Sequence, residues 1–176
     1  VEPDSVRKVF EGRLISVDVQ QWPAGEREVV HHPGACAVVA LTPAGEVLLV
    51  RQMREAVREA LLEIPAGILD QEGEEAADCA ARELLEETGH RATSIEPLGV
   101  IYTSPGFTDE RIQLFLADVA NGDPEGQGEE DLELVRMPLA AAVEEIERGA
   151  IKDAKSVAGL LLAFHRNRPD TAEQAD

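Results

Sequence analysis

The sequence predicts an α/β protein in which a mixed β-sheet is flanked by helices on both faces. Three observations carry this expectation. Strand-like segments fill the first half and recur later, one amphipathic helix stands among them, and two further helices lie near the C-terminus. With 176 residues, 44% of them hydrophobic, the chain has one domain's worth of length and enough apolar side chains for a core.

The elements follow in order. Residues 6–19 carry β-branched side chains around Glu11-Gly12 and read as a strand pair, and residues 27–32 form a third strand after the turn Pro23-Ala24-Gly25. Residues 35–42 and 46–51 are two strands joined by Pro43-Ala44-Gly45, a hairpin signal. A loop containing Ile64-Pro65-Ala66-Gly67 then runs through a glycine- and acid-rich stretch to Gly73. Residues 74–88 give the clearest helix, with Gly89 where a C-terminal cap favours glycine. Residues 93–103 and 111–119 are strands on either side of Ser104-Pro105-Gly106-Phe107-Thr108-Asp109. Residues 121–131 are polar, acidic and rich in glycine, and are expected to form a mobile loop. A strand over 132–137 follows, then a helix from Pro138 to about Arg148 and a last helix over 154–166. The expected layout is N-terminal strands over 1–34, a main domain over 35–168 and a frayed tail over 169–176.

Composition excludes several function classes. The net charge of −19 repels phosphates, which argues against non-specific binding to nucleic acid or to an acidic membrane. The longest apolar runs, 35–41 and 159–164, are far too short to span a bilayer. The chain opens on Val1 rather than Met, so its true start is expected upstream, and its N-terminus does not read as a signal peptide. Cys36 and Cys79 sit in apolar stretches and are expected to be small core residues in a reducing cytoplasm rather than a disulfide framework.

The helix over 74–88 carries the chemistry. At about 100° per residue, Ala77, Ala81, Leu84 and Thr88 form the expected core stripe, and Glu83, Glu86 and Glu87 gather on the opposite side. Like charges at i, i+3 and i+4 repel by a few tenths of a kcal/mol per pair, about the size of any helix-pair effect. They also stand in the last turns, where the helix dipole disfavours negative charge. A hard cation held between the carboxylates would make sense of this arrangement, because Mg²⁺ takes oxygen ligands from a few carboxylates, water and substrate phosphates.

The wider pattern runs Gly67-Ile-Leu-Asp-Gln-Glu-Gly-Glu74, seven residues, then Arg82-Glu83-Leu84-Leu85-Glu86-Glu87-Thr88-Gly89-His90. It resembles the Nudix box, G-x5-E-x7-R-E-U-x-E-E-x-G-U with U a bulky aliphatic residue. Two departures stand out: six residues separate Gly67 from Glu74 instead of five, and the final aliphatic position is His90. The extra residue falls in the loop before the helix and is expected to leave the metal face intact. His90 is expected to pack or to hydrogen-bond.

The resemblance implies a Nudix fold, an α/β/α sandwich with a mixed β-sheet and an N-terminal β-strand extension. It implies Glu83, Glu86, Glu87 and the carbonyl of Ala66 as metal ligands, Arg82 as the residue orienting a box glutamate, and Glu74 in a structural role. Mg²⁺ is the expected ion, with Mn²⁺ and Zn²⁺ as alternatives. The general base is left open among Glu86, Glu110, Glu129 and Glu130. Pro105, sixteen residues after Gly89, is similar to the proline that marks ADP-ribose pyrophosphatases within the family. The segments Val50-Arg51-Gln52-Met53-Arg54, Leu62-Glu63-Ile64-Pro65-Ala66-Gly67 and Ser104 through Glu110 also look like that subfamily.

The implied reaction is hydrolysis of ADP-ribose to AMP and ribose 5-phosphate, as housekeeping removal of a reactive sugar. Arg27, Glu28, Arg51, Arg54, Gly106 and Phe107 are the expected substrate contacts. The implied partners are a small nucleoside diphosphate sugar and a second copy of the chain, in a homodimer that exchanges N-terminal strands. Two alternatives stand beside this. One is the same chemistry on another sugar nucleotide such as GDP-mannose, or on a dinucleotide. The other is a non-catalytic module that senses ADP-ribose.

Overall fold

The computed structural model describes residues 1–120 and 132–167. β1 (Ser5–Glu11), β2 (Ser16–Trp22) and β3 (Gly25–His31) form a separate antiparallel sheet. The main sheet comprises β4 (Ala35–Leu41), β5 (Glu46–Arg54), β6 (Glu59–Glu63), β7 (Ala66–Ile68), β8 (Ala92–Tyr102), β9 (Arg111–Val119) and β10 (Glu133–Pro138). Its order is β10-β5-β4-β9-β8, with β6 added to β5 and β7 to β4. β4 is parallel to β9 and the other described pairings are antiparallel, so the sheet is mixed as expected. The helices are α1 (Ala76–Thr88), α2 (Leu139–Glu147) and α3 (Ala154–Arg166).

Strand β4 shows why the sheet is a sandwich filling. Its sequence ACAVVAL is apolar at every position, and six of its seven residues are buried. Successive side chains of a strand point to opposite faces. Ala35, Ala37 and Val39 join the core beneath α2 and α3, with Leu114, Leu160 and Ala163. Cys36, Val38 and Ala40 join the core beneath α1, with Cys79, Ala80 and Leu84. Val47 and Leu49 of β5 go to the first cluster and Leu48 to the second. Full burial of each such Val or Leu contributes about 1.5–3 kcal/mol, so this two-sided packing is a main source of stability. On the α3 side, Gly159 admits close approach: a Cβ there would lie 3.0 Å from Ile64 and 3.1 Å from Val39.

Apart from β2, which runs three residues past its expected end, and β3, which begins two residues early, the structure differs from the sequence reading in three places. The loop expected around Ile64-Pro65-Ala66-Gly67 contains β6 and β7, strands of five and three residues. Pro65 cannot donate to a ladder and separates them, and pieces this short carry no readable period. β6 in turn gives β5 a partner as far as Arg54. Second, α1 begins at Ala76 rather than Glu74. Third, its buried residues are Cys79, Ala80, Leu84, Glu87 and Thr88. The helix is rotated relative to the expected stripe, so that Cys79 meets Cys36 and Ala77 and Ala81 lie half-buried at the margin. Its end is as expected: Gly89 has φ 71° and donates its N–H to the carbonyl of Leu85. β8, β9, α2 and α3 lie within a residue or so of their expected bounds.

The N-terminal sheet is attached at one seam. The N–H of Val30 donates to the carbonyl of Phe107 (2.8 Å) and that of Asp109 to the carbonyl of Val30 (3.2 Å). His31 bridges the seam, with Nδ1 2.6 Å from Asp109 and Nε2 3.0 Å from Asp18.

Candidate active site

The site is built where the last turns of α1 meet the backbone of β7. Arg82 organises it. Its Nε and Nη2 donate to the two carboxylate oxygens of Glu74 (2.9 and 3.1 Å), and its Nη1 donates to Glu83 (2.6 Å) and Glu86 (3.0 Å). One guanidinium thus spans three carboxylates, a charge-assisted fork that also relieves repulsion within the helix. Hydrogen bonding to Glu74, then to Glu83, pushes the Arg82 pKa up, and Arg82 in return holds the Glu74 carboxyl below the ordinary range.

The three box glutamates do not share one solvated face. Glu86 is exposed, Glu83 is largely covered, and Glu87 is buried at 8% exposure. The Glu87 carboxylate accepts the N–H of Ala66 (3.2 Å), which draws it to the core side of the helix. Glu83 lies against Gly67, where any Cβ would overlap its carboxyl group. Gly67 is therefore glycine for space rather than for backbone conformation. Among the described residues no three acidic, histidine or cysteine groups form a finished cation cage. The donor set is nevertheless all oxygen, and it abuts a backbone cradle kept open by Gly67; that chemistry suits a hard cation such as Mg²⁺ or Mn²⁺ better than a thiol-seeking one.

Behind this cradle the two cysteines meet. Their Sγ atoms lie 2.6 Å apart as free thiols, with Cys36 3.6 Å from the carbonyl of Gly67 and Cys79 3.7 Å from that of Ile68. Burial pushes both thiols up in pKa. His90 packs as expected: it is buried, its Nδ1 lies 2.8 Å from the carbonyl of Thr88, and its Nε2 lies 2.9 Å from Arg136.

Of the other expected residues, Arg27, Gly106 and Phe107 lie along a trough and the rest stand apart from it. Glu110 accepts from Thr103 Oγ1 (2.7 Å) and stands 3.7 Å from His32. Glu129 and Glu130 lie outside the described residues. Arg27, Gly106 and Phe107 line a cavity of about 550 Å³ with Trp22, Val29 and Tyr102. A neighbouring cavity shares Tyr102 and Asp109 with it and adds Arg111 and Leu69. A third shares Leu69 and Pro33 with the second and ends at Ile68 and Asp70. The series leads from the N-terminal hairpin to the start of the box loop. Glu28 is exposed on β3, opposite Val19. Arg51 pairs with Glu133 at the surface (3.1 Å), whereas Arg54 is locked onto Glu63 through two bonds of 2.8 and 2.6 Å.

Sequence reasoning missed Trp22, Tyr102, Asp109 and Arg111 as trough residues. Trp22 and Tyr102 are two of the few aromatic residues in a chain that is 3% aromatic, and this scarcity was the signal available. Asp109 and Arg111 carried none.

Comparison with known proteins bears directly on this arrangement. Residues 30–160 match the model of the NUDIX domain. The chain is 38% identical to an ADP-ribose pyrophosphatase of Bacillus subtilis, over 85% of this chain and 84% of that one. It is 41% identical to an ADP-ribose pyrophosphatase of Mycobacterium tuberculosis, over 90% and 83%. A GDP-mannose pyrophosphatase of Cronobacter sakazakii is 37% identical, over 74% and 76%. In fold, the chain is similar to the crystal structure of an ADP compounds hydrolase, with a TM-score of 0.75, 24% identity and 94% of each chain covered. With its box in place on α1 and that sandwich around it, the chain belongs to the NUDIX domain family.

Proposed function

We propose that the protein is a Mg²⁺-dependent hydrolase that splits the diphosphate of ADP-ribose into AMP and ribose 5-phosphate. The observation that carries this reading is the box face itself: Glu83, Glu86 and Glu87 stand on one helix, tied by Arg82 and Ala66 and seated against Gly67. The identities to two ADP-ribose pyrophosphatases support the substrate.

In this reading Glu83, Glu86, Glu87 and the carbonyl of Ala66 hold the ion, Mg²⁺ or, alternatively, Mn²⁺ or Zn²⁺. When bound, it neutralises the diphosphate, polarises a P–O bond and lowers the pKa of a water. The cations thereby reconcile a chain of net charge −19 with an anionic substrate. Arg82 keeps Glu83 and Glu86 oriented. Arg27, Glu28, Arg51 and Arg54 contact the substrate's phosphates, terminal ribose and adenine end between them, and Gly106 and Phe107 line the ribose side. The proton of the attacking water goes to Glu86 or to one of Glu110, Glu129 and Glu130.

The molecule acts as a homodimer in the cytoplasm. Exposed Val6, Val9 and Phe10 on β1 support a partner for the N-terminal sheet, and two unbridged thiols accord with a reducing compartment. The GDP-mannose pyrophosphatase relative supports a second reading, the same chemistry on a GDP-linked sugar.

The test is a panel of ADP-ribose, GDP-mannose, NADH and diadenosine polyphosphates with Mg²⁺, products followed by chromatography, with Glu86→Gln alongside. Selective AMP release from ADP-ribose, lost in the variant, is the expected result. Preference for GDP-mannose moves the substrate, and binding of ADP-ribose without turnover would make the module a sensor.

A further inference from the structure

Glu63, the last residue of β6, is 1% exposed, and a carboxylate so deeply buried requires cationic partners. It has two. Arg54 reaches it from β5 as a two-pronged fork, and Lys155, second residue of α3 and 7% exposed, donates to the same Oε2 that takes Arg54 Nη2. Lys155 also donates to Asp153 (3.0 Å), the N-cap of α3, which accepts from the N–H and the hydroxyl of Ser156 (3.0 and 2.6 Å). The Ser156 hydroxyl accepts the N–H of Ile64 (2.9 Å). Two cations and two anions from three elements thus close a network around the β6 end. Burial alone would push the Glu63 carboxyl up, but Arg54 and Lys155 together hold it below the ordinary range.

A buried ionic network of this kind adds little net stability over apolar side chains of the same volume. What it does supply is direction. The Arg54 side chain is 42% exposed although that of its partner Glu63 is 2% exposed, so its inner edge is fixed and its outer edge open. Nε and Nη2 donate to Glu63, and among the described residues Nη1 has no hydrogen-bond acceptor, so its donors face outward. Arg54 has the same parity along β5 as Leu48, which packs beneath α1, so its side chain leaves the strand on the box side of the sheet. Arg51, by contrast, meets Glu133 with both side chains more than 40% exposed.

We propose that Lys155 and Glu63 are positioning residues, fixing the Arg54 guanidinium for the substrate's diphosphate and making α3 part of the site's machinery. This rests on the ADP-ribose reading above, so its test includes a readout that needs no substrate.

The first measurement is the Arg54 Nε–H resonance by NMR, assigned by its loss in Arg54→Gln. It is expected to be resolved and protected in the wild type and to collapse into rapid exchange in Lys155→Met and in Glu63→Gln. Persistence in either folded variant overturns the proposal, whatever the substrate. The second is kinetic. Lys155→Met is expected to lower kcat/KM for ADP-ribose on the order of tenfold, chiefly through KM. In an Arg54→Gln background it is expected to cost less than about twofold further, and Lys155→Arg is expected to restore much of the loss. Full multiplicative losses in the double variant would overturn the proposal. If Lys155→Met does not fold, Glu63→Gln carries both measurements. A wild type that turns over no ADP-ribose sinks the functional reading and leaves the resonance test standing.

Discussion

The two sheets of this molecule are made by opposite means. β4 of the main sheet buries six of its seven residues between helices, whereas β1 of the N-terminal sheet leaves all seven exposed. The difference teaches where the stability and the adaptability of the fold reside. The main sheet is fixed by apolar area on both faces, so its register is over-determined. The N-terminal sheet is fixed by its hairpin hydrogen bonds and one polar seam at Val30, His31 and Asp109. It is the less constrained of the two, with β1 open along its whole length.

Four experiments break or sharpen this contrast. The largest effect is expected in the main sheet: Leu49→Ala, at a fully buried position, should cost about 2–5 kcal/mol in urea unfolding. A cost under about 1 kcal/mol would mean that the two-sided core is looser than its burial implies. Next comes the junction of sheet and box. Gly67→Ala should push Glu83 out of its seat and lower kcat/KM on the order of a hundredfold. Activity near the wild-type level would show that Glu83 need not lie there.

A smaller effect is expected at the seam. Hydrogen bonding to Asp109, with Asp18 behind it, raises the His31 pKa against the lowering effect of burial. A raised histidine contributes stability that is fully present below its unfolded value of about 6.5 and lost as pH rises through its higher folded value. Asp109, held below the ordinary range by His31 and the His32 N–H, loses its contribution only at acid pH. The seam should therefore be firmest at mildly acidic pH, below about 6.5, and loosen as pH rises through the higher folded value. An NMR titration of His31 with a midpoint below about 6.5 would refute this. The smallest intrinsic effect belongs to Val9→Ser on β1, within about 0.5 kcal/mol of protomer stability. If the proposed homodimer joins through β1, sedimentation should nonetheless register weaker self-association; an unchanged equilibrium would exclude β1 from that interface.

Much of this architecture was legible in the sequence, and the parts that were not share a cause. α3 and β9 are legible nearly to their bounds because their periods run for thirteen and nine residues between clear punctuation. The box was legible because its chemistry is local: Arg82 and the three glutamates lie within six consecutive positions. β6 and β7 were not, being shorter than a readable period. Nor was the burial of Glu87, which depends on an N–H twenty-one positions away in β7. The grip of Glu63 on Arg54 needs the β5–β6 pairing, and that of Lys155 on Glu63 spans ninety-two positions. Local periodicity carries no trace of such contacts.

The thiol pair behind the cradle has one more consequence. Cys36 and Cys79 are fully buried and face each other across the seam between β4 and α1. Their reactive thiolate form is suppressed while that seam is shut. An alkylating reagent can then reach them at a useful rate only when the box helix lifts from the sheet. The chain thus carries its own clock: the rate of thiol labelling counts the openings of the helix that bears Glu83, Glu86 and Glu87, with no cysteine introduced.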